Sequence, residues 1–432
     1  MKLFHKLLIY ALLVSSTNNF VWFALTYWAY LQTKSVVATG IVGGIFLVAS
    51  ALSGFGLGAI VDHHKKKDAL AGSGVVTLFL FILGTLVYHA APKAVFTSVA
   101  SPLLWVFAGI LLCGVIAGSI LAIAIPTMVT FLVPEKEHDK ANGLFGTVMG
   151  VSFAITSLAS GLVLGNLGMG WVLLIALFCT LGSLLYLISI PVDEPTIVHA
   201  QKSSDRRIDL RGTVRVIQHI PGMFGLIFFT TFNNFVGGVF MALMDAYGLS
   251  LVSVQTWGTL WGVLSFGFIL SGMYIAKKGL GENPLRTLFT VNIIIWIVCI
   301  FFTVQASILL LATGSFIWMF LFPFVEASEQ TIIQKVVPKE RQGRVFGFAH
   351  SVEQAASPLT AFLIGPLTQY FFIPFMTTGA GVRLIGGWFG IGTGRGIALV
   401  FILAGIIGLV VTLIAMRSSS YRLLSDRYTA KH

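Results

Sequence analysis

The sequence predicts an all-α membrane protein with twelve transmembrane helices in two six-helix bundles related by pseudo-two-fold symmetry, and three observations carry that prediction. The first is composition. Of 432 residues, 56% are hydrophobic and 10% charged, with a mean hydropathy of +0.92, whereas a soluble chain carries about 25% charge. The second is the recurrence of long apolar runs. Each has about 20 residues or more, enough to cross about 30 Å of hydrocarbon as a helix, and a spanning backbone in lipid must satisfy its own hydrogen bonds. The third is an internal repeat. Asn18-Asn19-Phe20-Val21 returns as Asn233-Asn234-Phe235-Val236. Val133-Pro134-Glu135-Lys136, followed by Leu144-Phe145-Gly146, returns as Val337-Pro338-Lys339-Glu340, followed by Val345-Phe346-Gly347. Six spans and six parallel spans is the arrangement such a repeat describes.

The predicted spans lie at 7–31, 38–61, 70–90, 102–126, 143–165, 169–190, 223–246, 254–276, 287–305, 308–334, 345–372 and 396–416. The first begins like a signal peptide, with Lys2 and Lys6 ahead of an apolar core, but runs on through Asn18 and Asn19 to Leu31 without a small-residue cleavage site. It reads as a retained span. Residues 1–190 form the first bundle, 191–221 a linker and 222–432 the second bundle. The linker opens with Pro191, Asp193, Glu194 and Pro195 and then turns basic. Arg207, Arg211 and Arg215 oppose Leu210, Val214 and Ile217, a pattern that suits a short amphipathic helix on an anionic leaflet or a plain solvated linker.

Charge sets the orientation. With the N-terminus inside, all of the 27 Lys and Arg residues fall on the inner side except Lys34, Lys93, Arg383 and Arg395. This predicts a multi-pass protein of the cytoplasmic membrane with both termini cytoplasmic. The net charge of +11 is dispersed in short clusters between apolar runs, which argues against a nucleic-acid-binding face. Cys113, Cys179 and Cys299 each stand alone in an apolar run, without metal-ligand spacing or a disulfide framework.

Between the second and third spans stands Gly58-Ala59-Ile60-Val61-Asp62-His63-His64-Lys65-Lys66-Lys67. The glycine lets helices approach, and the aspartate, at the membrane exit, is placed to cap exposed N–H groups and pair with Lys66 or Lys67. Such a contact is a charged latch on the cytoplasmic side, to be weighed against an ordinary solvated loop. The segment resembles the loop signature of the major facilitator superfamily, Gly-x-x-x-Asp-Arg-x-Gly-Arg-Arg. Gly58, Asp62, Lys66 and Lys67 match it, and His63 and Lys65 stand where it has Arg and its second Gly. The second-half counterpart, Gly272 to Lys278, has Ala276 in the aspartate position. With the Val-Pro and Gly343-Arg344-Val345-Phe346-Gly347 pattern, the chain is similar to the macrolide-efflux and enterobactin-exporter branch of the drug:proton antiporters. The resemblance implies alternating access, with two bundles rocking about a central cavity lined by the first and seventh helices.

Independent of the resemblance are three carboxylates inside apolar runs: Glu326 and Glu329 in the tenth span and Glu353 in the eleventh. A charged carboxylate at mid-bilayer costs about 2.5–3.5 kcal/mol on insertion scales. Such groups face water, pair, or take up a proton, and are candidates for proton or cation coupling. Glu326 and Glu329 are three residues apart and share a helix face. The competing structural reading is a set of hydrogen-bonded acids near the inner rim. Asp245, near the outer end of the seventh span, is a candidate rim residue. Asn18, Asn19, Asn233 and Asn234 are candidates to line the cavity and bind substrate, or to bond between helices at under about 1–2 kcal/mol each. Gln354, Tyr27, Trp28, Trp257 and Trp261 are further candidates for the lining, with interfacial belts the alternative for the aromatics.

Other features carry less. His350 and Glu353 make a poor metal site, Gly390-x-Gly392-x-Gly394-x-Gly396 reads as a flexible loop before the last span, and Gly54/Gly58 and Gly161/Gly165 suit close helix packing. No P-loop motif occurs in the sequence. The expectation is a monomeric secondary transporter, without cofactor or bound metal, that exports a small amphiphilic molecule against protons. A proton-coupled importer and a transporter-like sensor that moves nothing are the alternatives.

Overall fold

The computed structural model describes residues 2–33, 36–192, 194 and 210–429. Among these, twelve helices are long and apolar enough to cross a membrane: Leu3–Thr33, Ile41–His63, Lys66–Ala90, Pro102–Leu132, Glu135–Leu167, Met169–Ser189, Met223–Leu249, Thr259–Lys278, Pro284–Phe301, Ile308–Val336, Lys339–Thr377 and Thr393–Met416. Each predicted span has its counterpart, and they are called the first to twelfth spans below. No strand occurs among the described residues.

Local chemistry explains several boundaries. Ser253 accepts a hydrogen bond from the Thr256 N–H at 3.3 Å, starting the helix that leads into the eighth span. The Asn283 side chain does the same for Arg286 at the start of the ninth, with Pro284 in the first turn. The fifth span ends at Gly168, whose φ of 83° closes the helix without Cβ strain. The fourth and eighth spans are interrupted at Ser119 and Ser265, whose hydroxyls donate to the carbonyls of Ile116 at 2.6 Å and Gly262 at 2.7 Å. A serine that bonds its own backbone competes with the helical ladder. The eleventh span passes from α-helix to a π-helical stretch, Thr368–Phe372, just after Pro366.

Two compact units divide the chain. One comprises Met1–Thr213 with Val337–Ser351, and the other Val214–Val336 with Val352–His432. In the first unit Trp28, 2% exposed, is enclosed by Tyr88, Phe96 and Phe107. It belongs to this core and not to a cavity lining. In the second unit the C-terminal helix Ser419–Thr429 packs back on the start of the seventh span. A side chain at Gly222 or Gly225 would collide with Ser420, and Tyr421 meets Phe289 edge-on at 5.1 Å.

The repeat is visible in local bonding. After Val133-Pro134, His138 Nε2 lies 3.1 Å from the Val133 carbonyl; after Val337-Pro338, Gln342 Nε2 donates to the Val337 carbonyl at 3.1 Å. The two side chains occupy the same position after each Val-Pro and close the same turn.

In the linker, the amphipathic helix is Leu210–His219, with Arg211 and Arg215 exposed and Thr213 and Ile217 buried. Arg207, Asp193 and Pro195 lie outside the described residues, as does Lys34. The glycine-rich stretch departs from the expected loop. Gly390 and Gly392 make a positive-φ turn, the last span starts at Thr393, and Gly394 and Gly396 are already helical.

Candidate functional site

In the second unit the tenth and eleventh spans bring the intramembrane acids together, and the seventh span supplies their common partner. Thr230 Oγ1 lies 2.7 Å from Glu353 Oε1 and 3.2 Å from Glu329 Oε1. It is also 3.1 Å from the Ile227 carbonyl and 3.3 Å from that of Leu226. The carboxyl groups of Glu329 and Glu353 therefore meet at one hydroxyl. One hydroxyl hydrogen cannot serve two carboxylates at once, and like charges this close disfavour joint ionisation, so the arrangement suits a pair that holds a proton. Glu329 is 7% exposed. Glu326, one turn before it, and Glu353 are half-buried. Among the described residues, no hydrogen bond or ion pair from Lys, Arg or His reaches any of the three.

The asparagines flank this group but take separate partners. Asn233 Nδ2 donates to Asn292 Oδ1 at 2.9 Å, joining the seventh span to the ninth, and Asn292 donates to the Leu288 carbonyl at 2.9 Å. Asn234 Nδ2 donates to the Thr230 carbonyl at 3.1 Å, and its own carbonyl accepts from Ser357 Oγ at 2.8 Å. Gln354, next to Glu353, is half-buried.

The first unit holds an uncharged edition of the same place. Counting from the repeated Asn-Asn and Val-Pro motifs, Ser15 is equivalent to Thr230, Met149 to Glu353 and Ile125 to Glu329. Ser15 Oγ donates to Met149 Sδ at 3.4 Å, the counterpart of the Thr230–Glu353 contact. Asn19 Nδ2 donates to Ser152 Oγ at 3.2 Å in the fifth span. Asn18 packs against Gly118, where any Cβ would collide with its amide, and borders a cavity of about 20 Å³ with Tyr10, Thr17, Ser73, Thr77 and Thr180. That volume holds about one water. The repeat therefore preserves the hydroxyl and the asparagines in both halves and the acids in one.

At the other predicted site, no hydrogen bond or ion pair joins Asp62 to Lys66 or Lys67 among the described residues, although the Lys66 charge acts on Asp62 through space. Its two oxygens accept the backbone N–H groups of Gly343 at 2.7 Å and Arg344 at 2.9 Å, with Arg344 Nε 3.9 Å away. The aspartate thus caps the first turn of the helix at Gln342–Leu367, where the unsatisfied N–H groups and the helix dipole favour an anion. Gly58 and Gly54 make room for it. A Cβ on Gly58 would stand 2.6 Å from the Gly343 carbonyl and 3.1 Å from Gly347 Cα. The N–H groups of Lys66 and Lys67 go to Glu194, each at 2.6 Å. Lys67 Nζ reaches back to the carbonyls of Ile188 at 3.2 Å and Ile190 at 2.7 Å, at the end of the sixth span. Glu194 therefore fills the role the sequence assigns to Asp62. Asp62 serves a helix 281 residues away, which local spacing cannot indicate.

Asp245 is exposed and accepts a hydrogen bond from Trp257 Nε1 at 2.9 Å; Trp257 is buried and lies edge-on to Trp261 at 5.7 Å. Sequence reasoning missed two residues. Thr230 carries no signal until its partners are known. Arg395, expected in an outer loop, is buried in the twelfth span. Its guanidinium donates to the carbonyls of Thr303 at 3.0 Å and Val304 at 2.7 Å and stacks 3.8 Å over the Phe389 ring.

Residues 7–361 match the family model described as Major Facilitator Superfamily. The chain is similar to macrolide efflux protein A of Streptococcus pyogenes, 21% identical over 363 residues that cover 79% of this chain and 84% of the relative. Among solved structures it is similar to a bacterial homologue of the iron transporter ferroportin in its outward-facing state. The TM-score is 0.71 at 16% identity, covering 97% of this chain and 100% of that one. It is also similar to the E. coli fucose:proton symporter, with a TM-score of 0.67 at 13% identity, covering 96% and 98%.

Proposed function

Because the chain belongs to the major facilitator superfamily, we propose that this membrane transporter is a proton-coupled exporter of a small amphiphilic molecule. One observation carries the coupling: two acids in adjacent spans, Glu329 and Glu353, meet at the single hydroxyl of Thr230 with no basic partner among the described residues, where like charges disfavour joint ionisation. A carboxyl pair of this kind holds a proton while its surroundings are apolar and loses it when they are hydrated. Glu326, one turn away and without a hydrogen bond of its own among the described residues, is the acid open to a further proton or a cationic substrate. The export direction is supported by the likeness to a macrolide efflux protein.

The remaining assignments follow from the same reading. Bundles 1–190 and 222–432, joined by the linker 191–221, alternate access to the two sides of the cytoplasmic membrane. Asp62 and Gly58 form the cytoplasmic latch by holding the turn at Gly343 and Arg344. Lys66 and Lys67 fix the third span to Glu194 and to the end of the sixth. Asn18, Asn19, Asn233, Asn234 and Gln354 border the path, and Asp245 stands at the outer rim. The protein works as a monomer on small molecules and protons, in contact with lipid.

Inverted membrane vesicles test the proposal, with a radiolabelled macrolide as probe and an imposed pH gradient. Accumulation that is abolished in Glu329→Gln and Glu353→Gln is the expected result. Pumping that is unchanged in both variants would remove these acids from the coupling. Uptake confined to right-side-out vesicles would make the protein an importer.

A further inference from the structure

We propose that Thr230 is a positioning residue of the proton site, its hydroxyl holding Glu329 and Glu353 as a pair and stabilising the member that has given up its proton. This deepens the proton-coupling reading above and rests on it.

Thr230 has one hydroxyl hydrogen and more acceptors than it can serve. Thr230 Oγ1 has four oxygen neighbours: Glu353 at 2.7 Å, the Ile227 carbonyl at 3.1 Å, Glu329 at 3.2 Å and the Leu226 carbonyl at 3.3 Å. A hydroxyl owns one hydrogen and accepts through its lone pairs. The carbonyls can only accept, and both are farther away than Glu353, whose distance is that of a good O–H···O bond. Threonine in a helix ordinarily spends its hydrogen on the preceding turn, as Thr231 does on Ile227 at 2.6 Å. Thr230 is held off that arrangement by the nearer acid. Its hydrogen goes to Glu353, the member of the pair that ionises, and the proton the pair retains stays on Glu329.

The surroundings leave few other candidates for this role. The titratable groups that meet Thr230 are Glu329 and Glu353, with Glu326 one turn along the tenth span and His350 one turn along the eleventh. The ninth span offers Asn292, already held by Asn233. The twelfth span's Arg395 bonds Tyr247 near the far end of the seventh span. The C-terminal helix, with Arg422 and Asp426, packs at its beginning, against Gly222 and Gly225. In the first half, Ser15 meets a thioether, which takes no proton. The ionisable form of this contact is peculiar to the second half.

A hydrogen bond donated to a carboxylate favours the ionised form and is about twice as strong as one between neutral groups. Thr230→Val keeps the shape and removes the donor, so the pair should keep its proton to higher pH. Infrared difference spectroscopy of the full-length protein in a lipid film, stepped through pH, reads this directly from the carbonyl stretch of a protonated carboxyl and needs no substrate. Glu329→Gln should remove the band, and Glu353→Gln should move its frequency and midpoint. Thr230→Val should raise the pH at which it is half lost by about one unit or more, a tenfold change in proton concentration, and Thr230→Ser should leave it in place. A purely structural threonine would alter the thermal unfolding of the variant and not that midpoint. A Thr230→Val protein that titrates like the unmodified one, while Glu329→Gln loses the band, overturns the role of Thr230 alone. A band left unchanged by Glu329→Gln and by Glu353→Gln alike overturns the coupling reading itself.

Discussion

A guanidinium buried away from water needs negative potential from some source, and Arg395 finds it in backbone rather than in a carboxylate. Its partners, the Thr303 and Val304 carbonyls, follow the last residue of the ninth span, Phe301, where the helix dipole is negative. Arg395→Met would leave those carbonyls unpaired in a buried site, at a cost of about 1–3 kcal/mol. The expected outcome is a clear fall in the thermal unfolding midpoint of the purified protein. Arg383→Ala, at an exposed position, should stay within about 0.5 kcal/mol. Sequence placed both arginines in the same outer loop, because an arginine two residues into a helix looks like one just outside it. Asp62 teaches the converse. Its importance was legible from glycine and aspartate at a membrane exit, but its partner was not, since Gly343 is reached only through folding.

At the scale of helices, close approach decides where a glycine matters. Along the second span, Gly54 and Gly58 face the turn at Gly343–Gly347, whereas a Cβ on Gly56 would meet nothing within 4 Å. Gly58→Ala should therefore force the two backbones apart, costing about 1–3 kcal/mol, and weaken transport. Gly56→Ala should be tolerated in both thermal unfolding and transport assays. Equal effects at the two positions would mean that close packing at Gly58 is dispensable. The spans themselves were legible as apolar runs, because lipid leaves a long backbone one solution. The interruptions at Ser119 and Ser265 were not. A serine hydroxyl that turns on its own helix looks, in sequence, like any small polar residue in a span.

Over the whole molecule, the distribution of basic residues predicts sidedness, and single cysteines check it. A cysteine at Lys93, between the third and fourth spans, should react with an impermeant maleimide in intact cells. One at Lys136, in the turn that opens the fifth span, should react only after permeabilisation, and the reverse pattern would invert the topology. Twelve spans, two related halves, and three acids stranded in oil were all determined by sequence, because hydrophobicity and charge act locally and every residue declares its own. Which acids meet, that Thr230 joins them, that Asp62 caps the eleventh span while Glu194 caps the third, and that Arg395 is interior were decided by tertiary structure alone. Hydrogen bonds are satisfied within about 3 Å, and residues separated by a hundred or more positions come that close only when the helices have packed.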